Sequence, residues 1–337
     1  MCNHYSLTKG QAAIPDLFRK AHRQSAALSI DLPRPDGPDR SQRRSEREYV
    51  VARWLAGTAE VCLGNAPMSQ FDKVFAGSIP KVYDSYLVPL IFVGFAEDIA
   101  QRVAARAPTS ILETAAGSGV VTRALAPKLA AEARYVVTDL SQPMLDHAAE
   151  LQGADTRITW RQADALALPF EAAAFDVVCC QFGVMFFPDR VAGYREAKRV
   201  LKLGGRFVFN VWDRIEENVF ANDVTNALAE MFPSDPPRFL ARTPHGYHDR
   251  ALIRDELENA GFSDVTIETR SEQSRAPSPY HVAIAYCQGT PLRNEIDARG
   301  ADKLQAATEH VSASVAKQRG NGEVTAKIQA LVVTAAG

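Results

Sequence analysis

The chain has 337 residues, 46% of them hydrophobic, and a formal net charge of −2, which suits one large globular domain with an appendage or two domains. The nearly balanced charge gives no general attraction to nucleic acid or to an anionic membrane surface. The five cysteines are odd in number and lack the spacing of a disulfide framework or a zinc site, which favours a reduced, cytoplasmic protein. No uninterrupted apolar run is long enough to span a bilayer, so membrane insertion is not expected.

The first 65 residues differ in character from the rest of the chain. Residues 34–47, RPDGPDRSQRRSER, are polar, charged and interrupted by proline and glycine, which predicts a solvated linker. We therefore expect residues 1–65 to be a poorly ordered or vestigial extension, and residues 66–337 to form the functional domain.

Strand and helix patterns alternate after this extension. Residues 80–106 carry two helical patterns, and short apolar runs then alternate with amphipathic stretches. The predicted strands lie at 110–114, 134–138, 157–162, 175–180 and 206–211, with helices at 119–131, 142–151 and 189–201. Nearly all-apolar strands joined by helices predict an α/β fold with a doubly wound, mostly parallel sheet that is covered by helices on both faces.

The last third of the chain breaks this alternation. Residues 213–250 contain PSDPPRF and TPHGYHD, which predict an irregular insertion. A helix at 249–260 ends at Gly261, and a strand at 264–269 follows it. A mostly helical stretch to about residue 318 precedes a final strand in VTAKIQALVVT.

The connection after the first strand, ILETAAGSGVVTRA, combines an acid with a Gly-Ser-Gly turn. Gly117 and Gly119 permit a tight turn and a close approach of ligand to backbone. The helix that follows would direct free N–H groups and a positive dipole end towards that ligand. The turn alone does not establish a ligand, because a tight strand-to-helix connection without one can use the same residues.

Three further strand ends favour a nucleoside-containing cofactor. Asp139 ends the second strand in RYVVTDLSQPMLDHA, where doubly wound folds place the acid that binds both ribose hydroxyls. Asp164 in ADALALPF ends the third strand, where a carboxylate can accept from an adenine amino group. Gln181 follows the fourth strand, at the expected topological switch point. Asp139 could instead cap the next helix, and Asp164 could be a turn residue.

Taken together, the chain from about residue 69 to 337 resembles the class I S-adenosylmethionine-dependent methyltransferases. It is most similar to the small-molecule group that includes the ubiquinone/menaquinone C-methyltransferases. The matching pieces, in order, are ILETAAGSG, VVTDLSQPMLDHA, ADALALPFEAAAFDVV, REAKRVLKLGGRFVF and ELENAGFSDV. Leu203 stands where the family usually has proline, and Ala115 where it often has glycine, but neither change removes a polar contact.

The resemblance implies a Rossmann-like seven-stranded sheet, S-adenosyl-L-methionine as the cofactor and a small-molecule methyl acceptor. It also implies in-line methyl transfer, with residues 66–337 as the methyltransferase domain and residues 213–250 as a lid over the acceptor. The implied cofactor-binding residues are Tyr83, Glu113, Ala115, Gly117, Gly119, Asp139, Leu140, Met144, Asp164, Ala165, Gln181 and Phe182.

These positions carry different implied roles. Asp139 would bind the ribose, Asp164 and Ala165 the adenine, and Gln181 and Phe182 would line the methionyl and methyl end.

Two of the implied roles have alternatives. Glu113 would hold either the glycine loop or the amino group of the cofactor. Tyr83 would either cover the cofactor or pack in the core.

A general base is required only if the nucleophile must lose a proton. His245 and His248 in HGYHD are weak candidates, and the alternative is a polar loop without a catalytic role. Their HxxH spacing could hold a metal, but no third ligand is evident, so no metal is expected.

Other readings of the chain are possible. Tyr194 and Lys198 in YREAK match the Tyr-x-x-x-Lys of nicotinamide-dependent short-chain dehydrogenases. However, the glycine loop lacks that family's third glycine, and Gln181 stands where a serine is required. A protein that binds the cofactor without turnover is a further alternative.

Two resemblances would imply a nucleic-acid partner. DPPR at 235–238 is similar to the Asp-Pro-Pro-aromatic motif of nucleic-acid amino methyltransferases, but it follows the fifth strand and has arginine in place of the aromatic residue. MCNHYSLTKGQAAI resembles the start of SOS-response-associated peptidase-like proteins, in which Cys2 would react with abasic DNA. That resemblance covers only about 20 residues, too few to close a core. We therefore expect no nucleic-acid partner.

Overall fold

The computed structural model describes residues 79–300 and 302–337, and the predicted extension at 1–65 lies outside these residues. Seven strands of the described chain form one sheet. They are β1 (Ser110–Glu113), β2 (Arg134–Asp139), β3 (Ile158–Gln162), β4 (Phe175–Gln181), β5 (Leu201–Trp212), β6 (Ser263–Ala276) and β7 (Val324–Ala336).

The strands lie in the order β3-β2-β1-β4-β5-β7-β6. Strands β1 to β5 pair in parallel, whereas β7 runs antiparallel between β5 and β6. This arrangement confirms the predicted doubly wound, mostly parallel seven-stranded sheet. The chain reverses its direction of winding between β1 and β4, so a crevice opens there at the carboxyl edge of the sheet.

Helices connect the strands and cover the sheet. They are α1 (Ile79–Val82), a π-helix (Tyr83–Phe92), α2 (Val93–Ala104), α3 (Val120–Leu125), α4 (Gln142–Gln152), α5 (Arg190–Val200), α6 (Val219–Met231), α7 (Phe239–Arg242), α8 (Arg250–Asn259), α9 (Pro279–Gly289), α10 (Leu292–Asp297) and α11 (Lys303–Arg319). Short 3₁₀ turns lie at Ala126–Lys128, Val184–Phe186 and Ile215–Glu217.

The core has a cluster of buried side chains on each face of the sheet, because successive strand residues point to opposite faces. Val177 and Cys179 belong to one cluster, and Val178 and Cys180 to the other. The adjacent cysteines are therefore buried on opposite faces as free thiols.

Several predicted boundaries were wrong for local reasons. The helix predicted at 119–131 ends at Leu125, because Pro127 has no N–H with which to continue it. Strand β5 begins at Leu201 rather than residue 206, since it pairs with β4 on both sides of a bulge. Strand β6 continues to Ala276 along its antiparallel partner β7, seven residues beyond the predicted end at 269.

Candidate active site

A cavity of about 400 Å³ lies at the carboxyl edge of the sheet. Residues at or just after the ends of β1, β2 and β3 form its polar end, which we define as Gly117, Asp139, Ser141 and Asp164. Residues at or just after the ends of β4 and β5 and from the surrounding helices form its aromatic end, which we define as Phe92, Phe182, Phe186, Trp212, Phe239 and Tyr286. The cavity therefore extends along the sheet edge from a polar to an apolar environment.

Most of the residues proposed from the sequence line this cavity. They are Tyr83, Ala115, Gly117, Asp139, Leu140, Met144, Asp164, Gln181, Phe182 and His245. Glu113, Gly119, Ala165 and His248 lie outside its lining. The structure thus places Asp139, Asp164 and Gln181 at one cavity, and of the two histidines in HGYHD it is His245 that lines it.

Asp139 connects two of the loops at the polar end. Its Oδ2 accepts a hydrogen bond from the backbone N–H of Gly117 at 2.8 Å, and its Oδ1 accepts one from the N–H of Ser141 at 2.8 Å. Burial raises the pKa of the Asp139 carboxyl, against the lowering effect of the backbone donors Ser141, Gly117 and Leu140. The carboxylate is therefore fixed by backbone groups at the polar end of the cavity.

Asp164 and Leu140 form the open side of the polar end. The Asp164 side chain accepts from the backbone N–H of Leu166 at 2.9 Å, which fixes the turn after β3. Leu140 is 53% exposed and lines the cavity with part of its apolar surface open. A flat apolar group bound here would cover that surface.

Glu113 is buried behind the glycine loop. Its carboxylate accepts from the hydroxyl of Tyr135 and, at 2.7 Å, from that of Thr122 on α3. These contacts connect the carboxylate to β2 and to the helix that follows the glycine loop. Burial raises the pKa of the Glu113 carboxyl to about 7, opposed by the Tyr135 and Thr122 hydrogen bonds.

We expect Glu113→Gln to remove a pH dependence of stability. The folded-state pKa lies above the ordinary value, so the folded chain keeps a proton that the unfolded chain releases. The resulting stabilisation is fully present below a pH of about 4.5 and is lost as the pH rises through about 7. Urea unfolding of both proteins across this range should give curves that diverge, and parallel curves would show that Glu113 does not titrate there.

The switch point has unusual backbone geometry. Ala115 after β1 and Phe182 after β4 have left-handed φ angles of 52° and 49°. A Cβ on Gly183 would lie 2.6 Å from Cβ of Ala115 and 2.7 Å from Sγ of Cys180. Strained backbone conformations at non-glycine residues are concentrated at functional sites.

Gly119 contributes to the site from outside the cavity lining. Its φ of 75° begins helix α3, and a Cβ there would lie 3.0 Å from Cβ of Ala148 on α4. This glycine therefore lets the two helices approach, so that the glycine loop can face the end of β2.

Gln181 carries a buried polar atom without a partner. Its Nε2 donates to the carbonyl of Phe92 at 3.4 Å, whereas its buried Oε1 has no hydrogen-bond partner among the described residues. An orphaned acceptor of this kind requires a donor. The ammonium of a methionyl group would supply one, so the lining fits S-adenosylmethionine at this point.

His245 and His248 have different environments. His245 is 5% exposed and lines the cavity, with Nδ1 2.9 Å from the carbonyl oxygen of Asp213. Burial lowers the pKa of His245 to about 4. His248 is half-buried outside the lining, with Nδ1 2.8 Å from the carbonyl oxygen of His245.

The tyrosine of the dehydrogenase-like motif lies away from the cavity. The Tyr194 hydroxyl is 3.1 Å from that of Tyr247, which donates to Glu256 at 2.6 Å. Lys198 lies over the ring of Phe262. Neither residue of the Tyr-x-x-x-Lys pair lines the cavity, which argues against the dehydrogenase reading.

Sequence patterns did not identify several lining residues. Trp212 stacks on Phe182 with ring centroids 3.7 Å apart, and Tyr286 reaches the cavity from α9. Both appear in the sequence as ordinary apolar positions, so only their tertiary placement identifies them. The ten-residue π-helix, which contains Pro89, also had no sequence signal, although such helices are frequent at functional sites.

A metal site and a membrane-spanning helix are both absent from the residues that the structure describes. No group of three or more His, Cys, Asp or Glu residues at 79–300 and 302–337 could hold a metal ion. Within the same residues, no helix combines the length and apolar character required to cross a membrane.

Comparisons with known proteins agree with this geometry. Residues 112–209 match a methyltransferase domain model. The chain is 31% identical over 179 residues to the ubiquinone/menaquinone biosynthesis C-methyltransferase of Dinoroseobacter shibae, covering 48% of this chain and 70% of the relative. It is also 31% identical over 174 residues to the demethylmenaquinone methyltransferase of Clavibacter sepedonicus, covering 49% and 70% of the two chains.

A solved structure shares the fold. The phosphoethanolamine N-methyltransferase 2 of Haemonchus contortus, in complex with S-adenosyl-L-methionine, superposes with a TM-score of 0.51 at 16% identity, covering 80% of this chain and 60% of that chain. The chain thus belongs to the class I S-adenosylmethionine-dependent methyltransferases, and S-adenosylmethionine is its methyl donor.

Proposed function

We propose that the protein methylates a carbon atom of an uncharged, apolar ring compound. The observation that carries this proposal is the composition of the aromatic end. Among the described residues, the charged side chains that line the cavity are Asp139 and Asp164, and both belong to the polar end. An acceptor with a buried charge would therefore lack a partner there, at a cost of several kcal/mol.

The polar end is proposed to hold the methyl donor, which when bound supplies a methyl group already activated by a sulfonium. Asp139 accepts from the ribose hydroxyls, and Asp164 accepts from the adenine amino group. Leu140 packs on the adenine ring, and Gln181 Oε1 accepts from the ammonium. Each of these groups lines the cavity.

The aromatic end is proposed to orient the acceptor. Phe182 and Trp212 form a parallel stack with an interplanar angle of 7°, and Phe92 packs against both rings. Flat aromatic surfaces bind flat rings by offset stacking or edge contacts. The names of the two relatives, a C-methyltransferase and a demethylmenaquinone methyltransferase, support carbon of a ring compound as the target.

Ligand-induced thermal protection tests donor binding separately from methyl transfer. S-adenosylhomocysteine at about 100 times its dissociation constant should stabilise the folded chain by about 2.7 kcal/mol, whereas NADH should not. Protection by NADH alone would favour the dehydrogenase reading.

Transfer itself can be tested with labelled methyl donor under anaerobic conditions. We expect naphthalene-1,4-diol to be labelled on a ring carbon, and 1,4-dihydroxy-2-naphthoate to react far more slowly because its carboxylate has no cationic partner in the aromatic end. Protection by S-adenosylhomocysteine without any labelled product would indicate a binding protein without turnover.

A further inference from the structure

We propose that His245 is the catalytic base that removes the ring proton from the acceptor carbon after this carbon has received the methyl group. The inference rests on the proposed function and names the residue that completes the reaction. It begins from the position of His245, which is buried at the cavity wall on the segment between α7 and α8.

The hydrogen bonding of the His245 ring determines which nitrogen can act as a base. Nδ1 lies 2.9 Å from the carbonyl oxygen of Asp213, and a carbonyl oxygen only accepts hydrogen bonds. The neutral ring must therefore carry its proton on Nδ1 and its free electron pair on Nε2. Nε2 has no hydrogen-bond partner among the described residues, so it is available to a molecule in the cavity.

The carbonyl that fixes this tautomer is itself held in place. It also accepts from Nδ2 of the buried Asn218 at 3.2 Å. The Asp213 carboxylate is occupied elsewhere, by Nε2 of Gln329 and the backbone N–H of Arg214, each at 2.8 Å. The Asp213 carbonyl therefore orients the imidazole of His245, as hydrogen-bond partners of functional histidines commonly do.

The environment of His245 favours removal of a proton after the methyl group has been transferred rather than before. The titratable groups that face His245 are Asp213 and His248. Burial, supported by the charge of His248, outweighs the raising effect of Asp213 and lowers the pKa of His245 to about 4. Taking a proton from a neutral phenol, with a pKa of about 10, would be unfavourable by about six powers of ten. A ring carbon that has become four-coordinate and cationic is a far stronger acid than an imidazolium, so a weak base is sufficient for it.

The reaction balances without another reactant. A ring carbon of the acceptor forms a bond to the methyl carbon while the methyl–sulfur bond breaks, and its electron pair stays on sulfur. The ring proton then goes to Nε2 of His245, and the electrons of the C–H bond restore the aromatic ring. His245 subsequently loses the proton to water when the product leaves.

The test compares His245→Asn with His248→Asn. Asparagine at 245 can keep a donor near the Asp213 carbonyl but has no basic nitrogen. At 248 the same change affects a histidine that also contacts a carbonyl through Nδ1 but does not line the cavity. With naphthalene-1,4-diol as acceptor, we expect kcat to fall about 100-fold or more in His245→Asn and to stay within threefold in His248→Asn.

A deuterium isotope effect separates a base from a structural role. With the acceptor deuterated at its free ring carbons, the wild-type protein should show little primary isotope effect, because proton removal follows the slow transfer. His245→Asn should show a clear primary effect, because proton removal has become slow. A decrease in kcat without this effect would overturn the inference, and so would full activity in His245→Asn.

Two further measurements do not depend on turnover. Calorimetric affinity for S-adenosylhomocysteine should be equal in the wild type and in both variants, since His245 lies outside the polar end. Nitrogen NMR of labelled histidine should show His245 neutral with its proton on Nδ1, and a proton on Nε2 would overturn the inference. If the wild-type protein does not methylate the diol, the proposed acceptor class is wrong. The assignment of His245 as the base for that acceptor is then wrong as well.

Discussion

Replacing Asp139 with alanine is expected to raise the dissociation constant for S-adenosylhomocysteine at least tenfold. Hydrogen bonds to a charged group contribute about 1.5–3 kcal/mol, and every 1.4 kcal/mol is a factor of ten in affinity. The substitution also leaves the backbone N–H groups of Gly117 and Ser141 without the acceptor that joins their loops. Isothermal titration calorimetry measures the change directly.

A matched control is available on the neighbouring helix. Asp146 on α4 is exposed, and its Oδ1 accepts a hydrogen bond from Nε2 of Gln142 at 2.7 Å. Asp146→Ala removes the same charge near the cavity without removing a lining residue, so affinity should stay within about twofold. Equal affinities for wild type, Asp139→Ala and Asp146→Ala would exclude Asp139 from the donor site.

The sheet could be predicted because β1, β2 and β4 are short, largely apolar runs that each end in a polar residue. The run that ends at Glu113 and the run that ends at Asp139 place their last residues at one edge of the sheet. Order along the chain then fixes which strand ends are neighbours, so the polar end of the cavity followed from local sequence.

The aromatic end could not be predicted in the same way. Trp212 ends β5, Tyr286 lies in α9 and His245 follows α7, so these side chains meet only through long-range packing. In the sequence, His245 and His248 are equivalent members of one polar loop. The tertiary structure distinguishes them, because the side chain of His245 lines the cavity and that of His248 does not.

The sequence patterns also could not predict the backbone conformation at the switch point. Ala115 stands where the resembling family often has glycine, and it has a left-handed φ of 52°. Such a conformation costs a non-glycine residue on the order of 1 kcal/mol. The surrounding contacts, including the close approach of Gly183, hold it in place.

The segment that carries His245 depends on a glycine that lies close to the backbone of Arg242. A Cβ on Gly246 would lie 2.1 Å from the carbonyl oxygen of Arg242 and 2.9 Å from its carbonyl carbon. Real Cβ atoms do not approach this closely, and a backbone carbonyl cannot turn away as the end of a side chain can. An alanine at 246 must therefore displace the turn between α7 and α8, which places His245 in the cavity and Tyr247 against Glu256.

We expect Gly246→Ala to lower the free energy of unfolding by about 3 kcal/mol, the upper part of the range for overpacked sites. Urea denaturation gives this value, and Gly322→Ala is the matched control. A Cβ on Gly322 has no atom within 4 Å, so its replacement should change stability by less than about 0.5 kcal/mol. Equal stability of the two variants would show that the α7–α8 turn relaxes freely. The position of His245 would then not depend on the packing of its own loop.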